Sequence, residues 1–396
     1  MKLYKNLVNA VALILQDIFT KNRYADKAIE QAFRQNPQWG SRDRRFIAEG
    51  VYDIVRHFRL YSELAESPGN FWFITAVWLV IKNGEVPDWQ EFRHVNPAHI
   101  LSRKAYLEQS PPVYESYPDW LWELGLQELG EPAWAGEARA MNVQAPVFLR
   151  ANSLKTSREA LAEQLKKERI ETSEVNGVTD ALKLSRRDNV FQTRLFREGF
   201  FEVQDAGSQL ISEFLDPKPG EFVVDACAGA GGKSLHLAAL MKNKGKIISL
   251  DVEAWKLEEL KKRARRAGVF NVEARPILPG ETISQLKDKA DRLLLDVPCS
   301  GLGVLKRNPD TKWKLSSDAM EGIRATQQEI LSAYSSMLKT GGHLVYSTCS
   351  ILPSENRQQV DTFLERHASF GLVRERTLLP SEGFDGFYMA LLKKTA

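Results

Sequence analysis

Two of the three cysteines in this 396-residue chain sit where a strand candidate gives way to a loop. Cys349 lies in "YSTCSILPSEN" (346–356), directly after the apolar "GGHLV". Cys299 lies in "LLLDVPCSG", shortly after Asp296 and next to Pro298. A thiolate can add to an electron-poor carbon and split one difficult step into easier ones. The plainer reading of a free cysteine is a small buried hydrophobe. That reading suits Cys227, which sits inside a glycine-rich turn.

The turn is "VVDACAGAGGKSLHLAALM" (223–241), read as strand, turn and helix. Gly229, Gly231 and Gly232 let the backbone bend sharply and let a ligand approach closely. The segment has neither the spacing of a phosphate-binding loop nor the full dinucleotide fingerprint. The next strand ends at Asp251 in "IISLDVE", where a carboxylate can accept hydrogen bonds from ribose hydroxyls. Turn and acid together indicate an adenosine-containing ligand. Asp296 ends the fourth strand, so three strand ends face the rim where ligands bind in open α/β sheets.

These strand ends need a scaffold. From about residue 206 the candidates "EFVVDA", "KIISLD", "DRLLLDVP" and "GHLVYST" alternate with helix candidates. Their near-continuous apolar character is that of strands buried on both faces of a parallel sheet. "FDGFYMALLKK" reads as a last strand, paired with "FGLVRE". Upstream, "VFLRAN", "ALKLS" and "FFEVQ" read as strands and "SREALAEQLKKER" as a helix. Before residue 140 the apolar periodicity is helical. Leu3, Leu7, Val11, Ile14 and Ile18 share one face, and a second helix covers about 26–35. Ser41 is a good cap for a third, which turns Phe46, Ile47, Ile54, Val55 and Phe58 inward. The run "FWFITAVWLVI" (71–81) and the stretch 117–131 supply further helices. The expected division is 1–140, all-α; 141–205, a small α+β unit; and 206–396, a Rossmann-like α/β domain.

Composition excludes several classes. The apolar run at 71–81 is too short to span a bilayer. Three cysteines cannot build a disulfide framework, and no Cys/His cluster has zinc spacing. A reducing compartment, the cytoplasm, fits best. The net charge of +3 permits a nucleic-acid partner without arguing for one. The basic run "KLEELKKRARRAG" reads as a solvated helix face. "LKRNPDTKWK" (305–314) mixes Lys306, Arg307, Lys312 and Lys314 with Trp313 and reads as a phosphate- and base-contacting loop, with a structural lid loop as the plainer and compatible reading.

"DACAGAGGKS", "DVPCSGLGVLKRNPDTKW" and "YSTCSILPSEN" resemble, in order, the motifs of the Sun/RsmB family of RNA (cytosine-5)-methyltransferases. "PVFLRANSLKTS", "FREGFFEVQDAGSQL" and "DGFYMA" are similar to further segments of that family, and the likeness covers most of 145–396. "SRDRRFIAEGVYDIVRHFRLYSEL" is similar to the NusB-like domain that precedes the enzyme in the bacterial member acting on small-subunit ribosomal RNA. The chain departs at two places. Gly229-Ala230 stands where the family has Ala-Pro, and "NVEARPILPG" has no acid where the family has one near the adenine.

The resemblance implies S-adenosylmethionine as methyl donor, C5 of a cytosine in RNA as acceptor, and a covalent cysteine–C6 adduct. It gives Cys349 the role of nucleophile and Cys299 that of releasing the product. In DNA cytosine methyltransferases the Pro-Cys thiol attacks instead, so the two thiols compete for the role. Asp296 would hold the cytosine edge and touch the donor. Cys227, Ala228, Gly229, Ala230, Gly231, Gly232, Lys233 and Asp251 would complete the donor site, Cys227 mainly through its backbone. His236 and His343 read as packing or hydrogen-bonding residues. Ribosomal RNA is the expected substrate and transfer RNA the alternative. A non-enzymatic RNA-binding assembly factor is the competing class. A monomer without metal is expected.

Overall fold

A computed structural model describes residues 3–278 and 280–396. Pro279, in the segment without the third-strand acid, lies outside the described residues, as do Met1 and Lys2. The chain forms two compact units. One comprises 1–143 and 305–317; the other comprises 144–304 and 318–396.

The first unit is helical. Lys5–Thr20 buries Leu7, Val11, Ile14 and Ile18, the stripe expected from its period. Leu3 packs partly buried against the same core. Ala25–Gln35 follows. The helix Ser41–Arg56 starts one residue earlier than its serine suggested: Ser41 is its first residue and Gly40 its cap. The Asp43 carboxylate accepts from Gly40 N at 3.1 Å, and that bond replaces a serine cap. The helix stops at His57, so Phe58 opens the next one, Phe58–Ala65. Phe71–Asn83 is apolar on nearly every side and lies in the core, capped by the Asn70 side chain. Asp119–Leu129 and Glu131–Met141 pack Trp122 and Trp134 around Tyr117.

Residues 305–317 belong to this helical unit although they follow Cys299 in sequence. Trp313 donates to Val55 O at 2.7 Å and meets the Phe58 ring edge-on, with centroids 5.7 Å apart. Ala25 N donates to Asp310 Oδ2 at 2.9 Å, and Arg56 donates to Lys306 O at 2.9 Å. The Lys312 ammonium stacks 4.2 Å from the Tyr117 ring and donates to Asn142 Oδ1 at 3.3 Å. Lys312 is 1% exposed, so it cannot reach a phosphate. Of the two readings of this stretch, the structural one holds for Lys306, Asp310 and Lys312, which are all buried.

The second unit carries two sheets. The small sheet contains β1 (Phe148–Ala151), β2 (Thr172–Glu174), β3 (Ala181–Leu184) and β4 (Phe201–Val203) in the order β2-β3-β1-β4, all antiparallel. The large sheet contains β5 (Phe222–Asp225), β6 (Lys246–Asp251), β7 (Val272–Pro276), β8 (Ala290–Asp296), β9 (Leu338–Thr348), β10 (Phe370–Leu378) and β11 (Phe387–Lys394). Its order is β10-β11-β9-β8-β5-β6-β7. β5 to β9 run parallel, and β11 returns antiparallel between β9 and β10. The fold is thus a helical region followed by a Rossmann-like α/β sheet. The order reverses at β5, with β6 on one side and β8 on the other, which opens the crevice where such sheets bind ligands.

Candidate active site

The residues singled out in the sequence gather at the carboxyl ends of β5, β6, β8 and β9. In β8 and β9, Asp296 lies opposite Ser347 in parallel register. Each chain then turns outward and delivers its cysteine. The two sulfurs, Cys299 Sγ and Cys349 Sγ, are 3.2 Å apart, within hydrogen-bond reach. Cys349 N also donates to Cys299 Sγ at 3.2 Å. Its hydrogen bond with Cys349 first, then its burial and the nearby charge of Glu355, push the Cys299 thiol up.

The second loop has little room. Gly303 N donates to Cys349 O at 2.9 Å, and Gly386 N donates to Gly303 O at 2.7 Å. A side chain at 303 would lie 2.3 Å from Gly386 O and 2.9 Å from Cys349 O. Glycine is therefore required there by close approach.

Lys233 Nζ donates to Asp296 Oδ2 at 2.5 Å, and Ser347 Oγ donates to Asp296 Oδ1 at 3.0 Å. Burial tends to lower the Lys233 ammonium, yet the Asp296 carboxylate outweighs it and holds the group above its ordinary value. Asp296 keeps acceptor capacity for a further donor, since a carboxylate can take about four hydrogen bonds.

The glycine turn closes on β6. Gly229 and Gly231 take positive φ, +54° and +84°. Gly229 N donates to Asp251 Oδ2 and Glu253 N to Asp251 Oδ1, both at 2.8 Å. Asp251 thus fixes the turn as well as ending its strand. Ala228 N pairs with Leu250 O, and Gly231 caps the helix Gly232–Leu240. Ala230 O accepts from Arg263 at 2.8 Å. The Cys227 thiol is pushed up, by burial first and then by Asp225, Asp296 and Asp251.

A cavity of about 220 Å³ opens beside this turn, lined by Gln204, Ser208, Cys227, Lys233, Arg263 and Asp296, among others. Its lining offers carboxylate, ammonium, guanidinium and amide groups. That mixture suits a small ligand carrying both charges.

Several contributors were missed in the sequence. Arg263 and Arg266, read as part of a solvated face, ion-pair with the buried Glu202 at 3.0 and 2.5 Å. Their solvated reading is corrected, because the helix Ala254–Ala267 turns these two toward β4 and the glycine turn. Asp225, fully buried at the end of β5, accepts from Ser234 Oγ at 2.6 Å. Burial, against the Ser234 hydrogen bond, pushes it up to about 7. Glu355 is the fourth, and only its place inside the quoted cysteine motif hinted at it. His236 is buried and held down at about 4, by burial first and then by the Arg150 charge. It is a core residue and not a base.

The profile of the family described as 16S rRNA methyltransferase RsmB/F matches residues 212–393. That of a ferredoxin-like domain of RsmF/B-like methyltransferases matches 117–191. The probable ribosomal RNA small subunit methyltransferase B of Synechocystis sp. is 32% identical, across 96% of this chain and 98% of that relative. The chain belongs to the RsmB/F methyltransferase family. The resemblance read from the cysteine and glycine motifs therefore holds. The ribosomal RNA small subunit methyltransferase B of Vibrio vulnificus is 35% identical across 71% of this RsmB/F chain and 67% of that relative. Among solved structures, PH0851 aligns along 100% of both chains with a TM-score of 0.82 and 26% identity.

Proposed function

We propose that this RsmB/F chain transfers a methyl group from S-adenosylmethionine to C5 of a cytosine in RNA, with 16S ribosomal RNA as substrate, through a covalent Cys349–C6 adduct. The observation that carries the reading is the pair of thiols 3.2 Å apart, beside Asp296, at adjacent strand ends. The relatives' names, which specify the ribosomal small subunit, favour that RNA. A thiol pair that must stay reduced suits the cytoplasm.

The donor, when bound, supplies an electrophilic methyl group. Asp251, the glycine turn 227–232 and Lys233 would hold it, with Asp296 shared between donor and base. The Cys349 sulfur bonds to C6, and the ring's electron pair moves to C5. Asp296 accepts a hydrogen bond from the cytosine edge and steadies the charge redistribution. C5 then takes the methyl group. Water takes the C5 proton, the C5–H electron pair forms the C5–C6 double bond, and the C6–Sγ pair leaves with Cys349 as thiolate, which restores the aromatic ring. Cys299, holding its proton against Cys349, stabilises the departing thiolate. The base must leave its stack to reach the pair. The small sheet (141–205) and the helical region (1–140), the latter in a NusB-like role, would hold the RNA around it, and 206–396 would carry the chemistry.

The test is adduct trapping on a denaturing gel with ribosomal and transfer RNA. Cys299→Ala accumulates a covalent protein–RNA adduct; Cys349→Ala forms none and transfers no methyl group. An adduct in Cys349→Ala alone reverses the roles. Loss of both adduct and transfer with every RNA, in the wild type too, favours an RNA-binding assembly factor. Transfer to transfer RNA alone replaces the ribosomal substrate.

A further inference from the structure

Beyond the last strand bond, Val297 N to Ser347 O at 3.0 Å, and the Gly303 N to Cys349 O bond, a buried carboxylate ties the two cysteine loops together. Glu355 is 0% exposed. Its Oε1 accepts from Ser300 Oγ and from Ser350 Oγ, each at 2.5 Å. Its Oε2 accepts from Ser300 N at 2.8 Å and from Gln327 Nε2 at 3.1 Å. Ser300 directly follows Cys299, and Ser350 directly follows Cys349. The two hydroxyls are themselves 3.3 Å apart. Gln327 donates to Pro298 O as well, at 3.0 Å, so it braces the first loop from its other side. Around the same carboxylate, Tyr346 OH donates to Glu355 O at 2.7 Å, and Asn356 ties Thr348 to Ser350 O.

A buried carboxylate with four donors is a fully satisfied node, and such charge-assisted bonds are short and roughly twice as strong as neutral ones. With fewer partners the same group would be costly to bury. Glu355 touches neither sulfur; what it fixes is the residue after each.

We propose that Glu355 is the positioning residue that sets the distance between Cys299 and Cys349, by clamping both loops through Ser300 and Ser350. This rests on the reading of the pair as the reacting thiols. The positioning itself can be measured without RNA. Diamide oxidises two adjacent thiols to a disulfide: one S–S bond forms, and two protons and two electrons pass to the azo compound, which becomes a hydrazine.

The experiment compares wild type, Glu355→Gln and the Ser300→Ala/Ser350→Ala double variant, with the Cys299–Cys349 crosslink followed by peptide mapping. The amide keeps the shape but loses the charge; the double variant keeps the charge but loses both hydroxyl arms. Both variants should form the crosslink more slowly than wild type. Methyl transfer should lose kcat by roughly a hundredfold, the scale of an ångström-sized misplacement, with KM for RNA little changed. The pH–rate profile of Glu355→Gln should also move slightly to lower pH, because the Glu355 charge, which adds to the Cys349 hydrogen bond and burial in holding Cys299 up, is gone. A crosslink rate equal to wild type in both variants, or slowed crosslinking with unchanged kcat, overturns the proposal. If Glu355→Gln does not fold, the double variant decides. A wild type that crosslinks rapidly yet transfers no methyl group leaves the clamp standing and refutes the cytosine reading.

Discussion

At the residue scale, the site is built from groups whose charge is set by depth. Asp225 is raised on folding, so the folded chain holds its proton more tightly than the unfolded one. The stabilisation it contributes is complete below the ordinary aspartate value of about 4 and is lost as pH rises through about 7. Asp225→Asn, a neutral isostere, should therefore gain on wild type in thermal melts at about pH 8 compared with about pH 5. An equal offset at both pH values would refute this. Gly303 gives a steric counterpart. Gly303→Ala must push its own loop, which carries Cys299, away from Gly386 O and Cys349 O, and should lower turnover and slow the diamide crosslink while the fold persists. An alanine variant that crosslinks and turns over like wild type would show that the loop yields freely.

The sequence made Cys299, Cys349, Asp296, Asp251 and the glycine turn legible, because strand ends and glycine clusters leave local patterns. It hid Glu355 and Asp225. Nothing in a one-dimensional pattern distinguishes a buried carboxylate with four donors from a surface one. Arg263 was hidden for a similar reason: a basic helix looks solvated until its inner face is known.

At the element scale, strands and long helices followed their periodicity. The three-residue β2 did not, since so short a segment carries no period. Ser41 resembled a cap, but one helical turn admits either Ser41 or Gly40, and the reach of Asp43 decided it. The largest departure is Lys312, a cation in a sequence that looked made for phosphate. Burial drives this lysine well below its ordinary value, and its partners are a ring and an amide. Replacing buried ionic groups by well-packed apolar ones of similar volume is often neutral or stabilising. Lys312→Met should keep or raise Tm and leave RNA affinity and its salt dependence unchanged. A fall in affinity with a shallower salt slope would return Lys312 to the phosphate contacts.

At the scale of the whole molecule, the helical unit is discontinuous in sequence. Residues 305–317 supply Trp313, Asp310 and the Lys306 carbonyl to partners far upstream. A fragment of residues 1–143 therefore lacks part of its own core. It should melt below a sample supplied with a synthetic 305–317 peptide. An identical melting curve with and without the peptide would show that the segment adds nothing to the helical unit.

The same discontinuity has a meaning during synthesis. Ala25 waits for Asp310, 285 positions later, before its amide finds its native acceptor. Long separations of this kind slow folding, because loop closure must precede the contact that rewards it. Domains emerging from a ribosome usually fold in order from the amino terminus. Here the first unit to emerge is finished only after most of the second has been made. A nascent chain arrested before residue 305 should thus present an incompletely packed helical region, open to proteases or chaperones, that closes once the segment has left the exit tunnel.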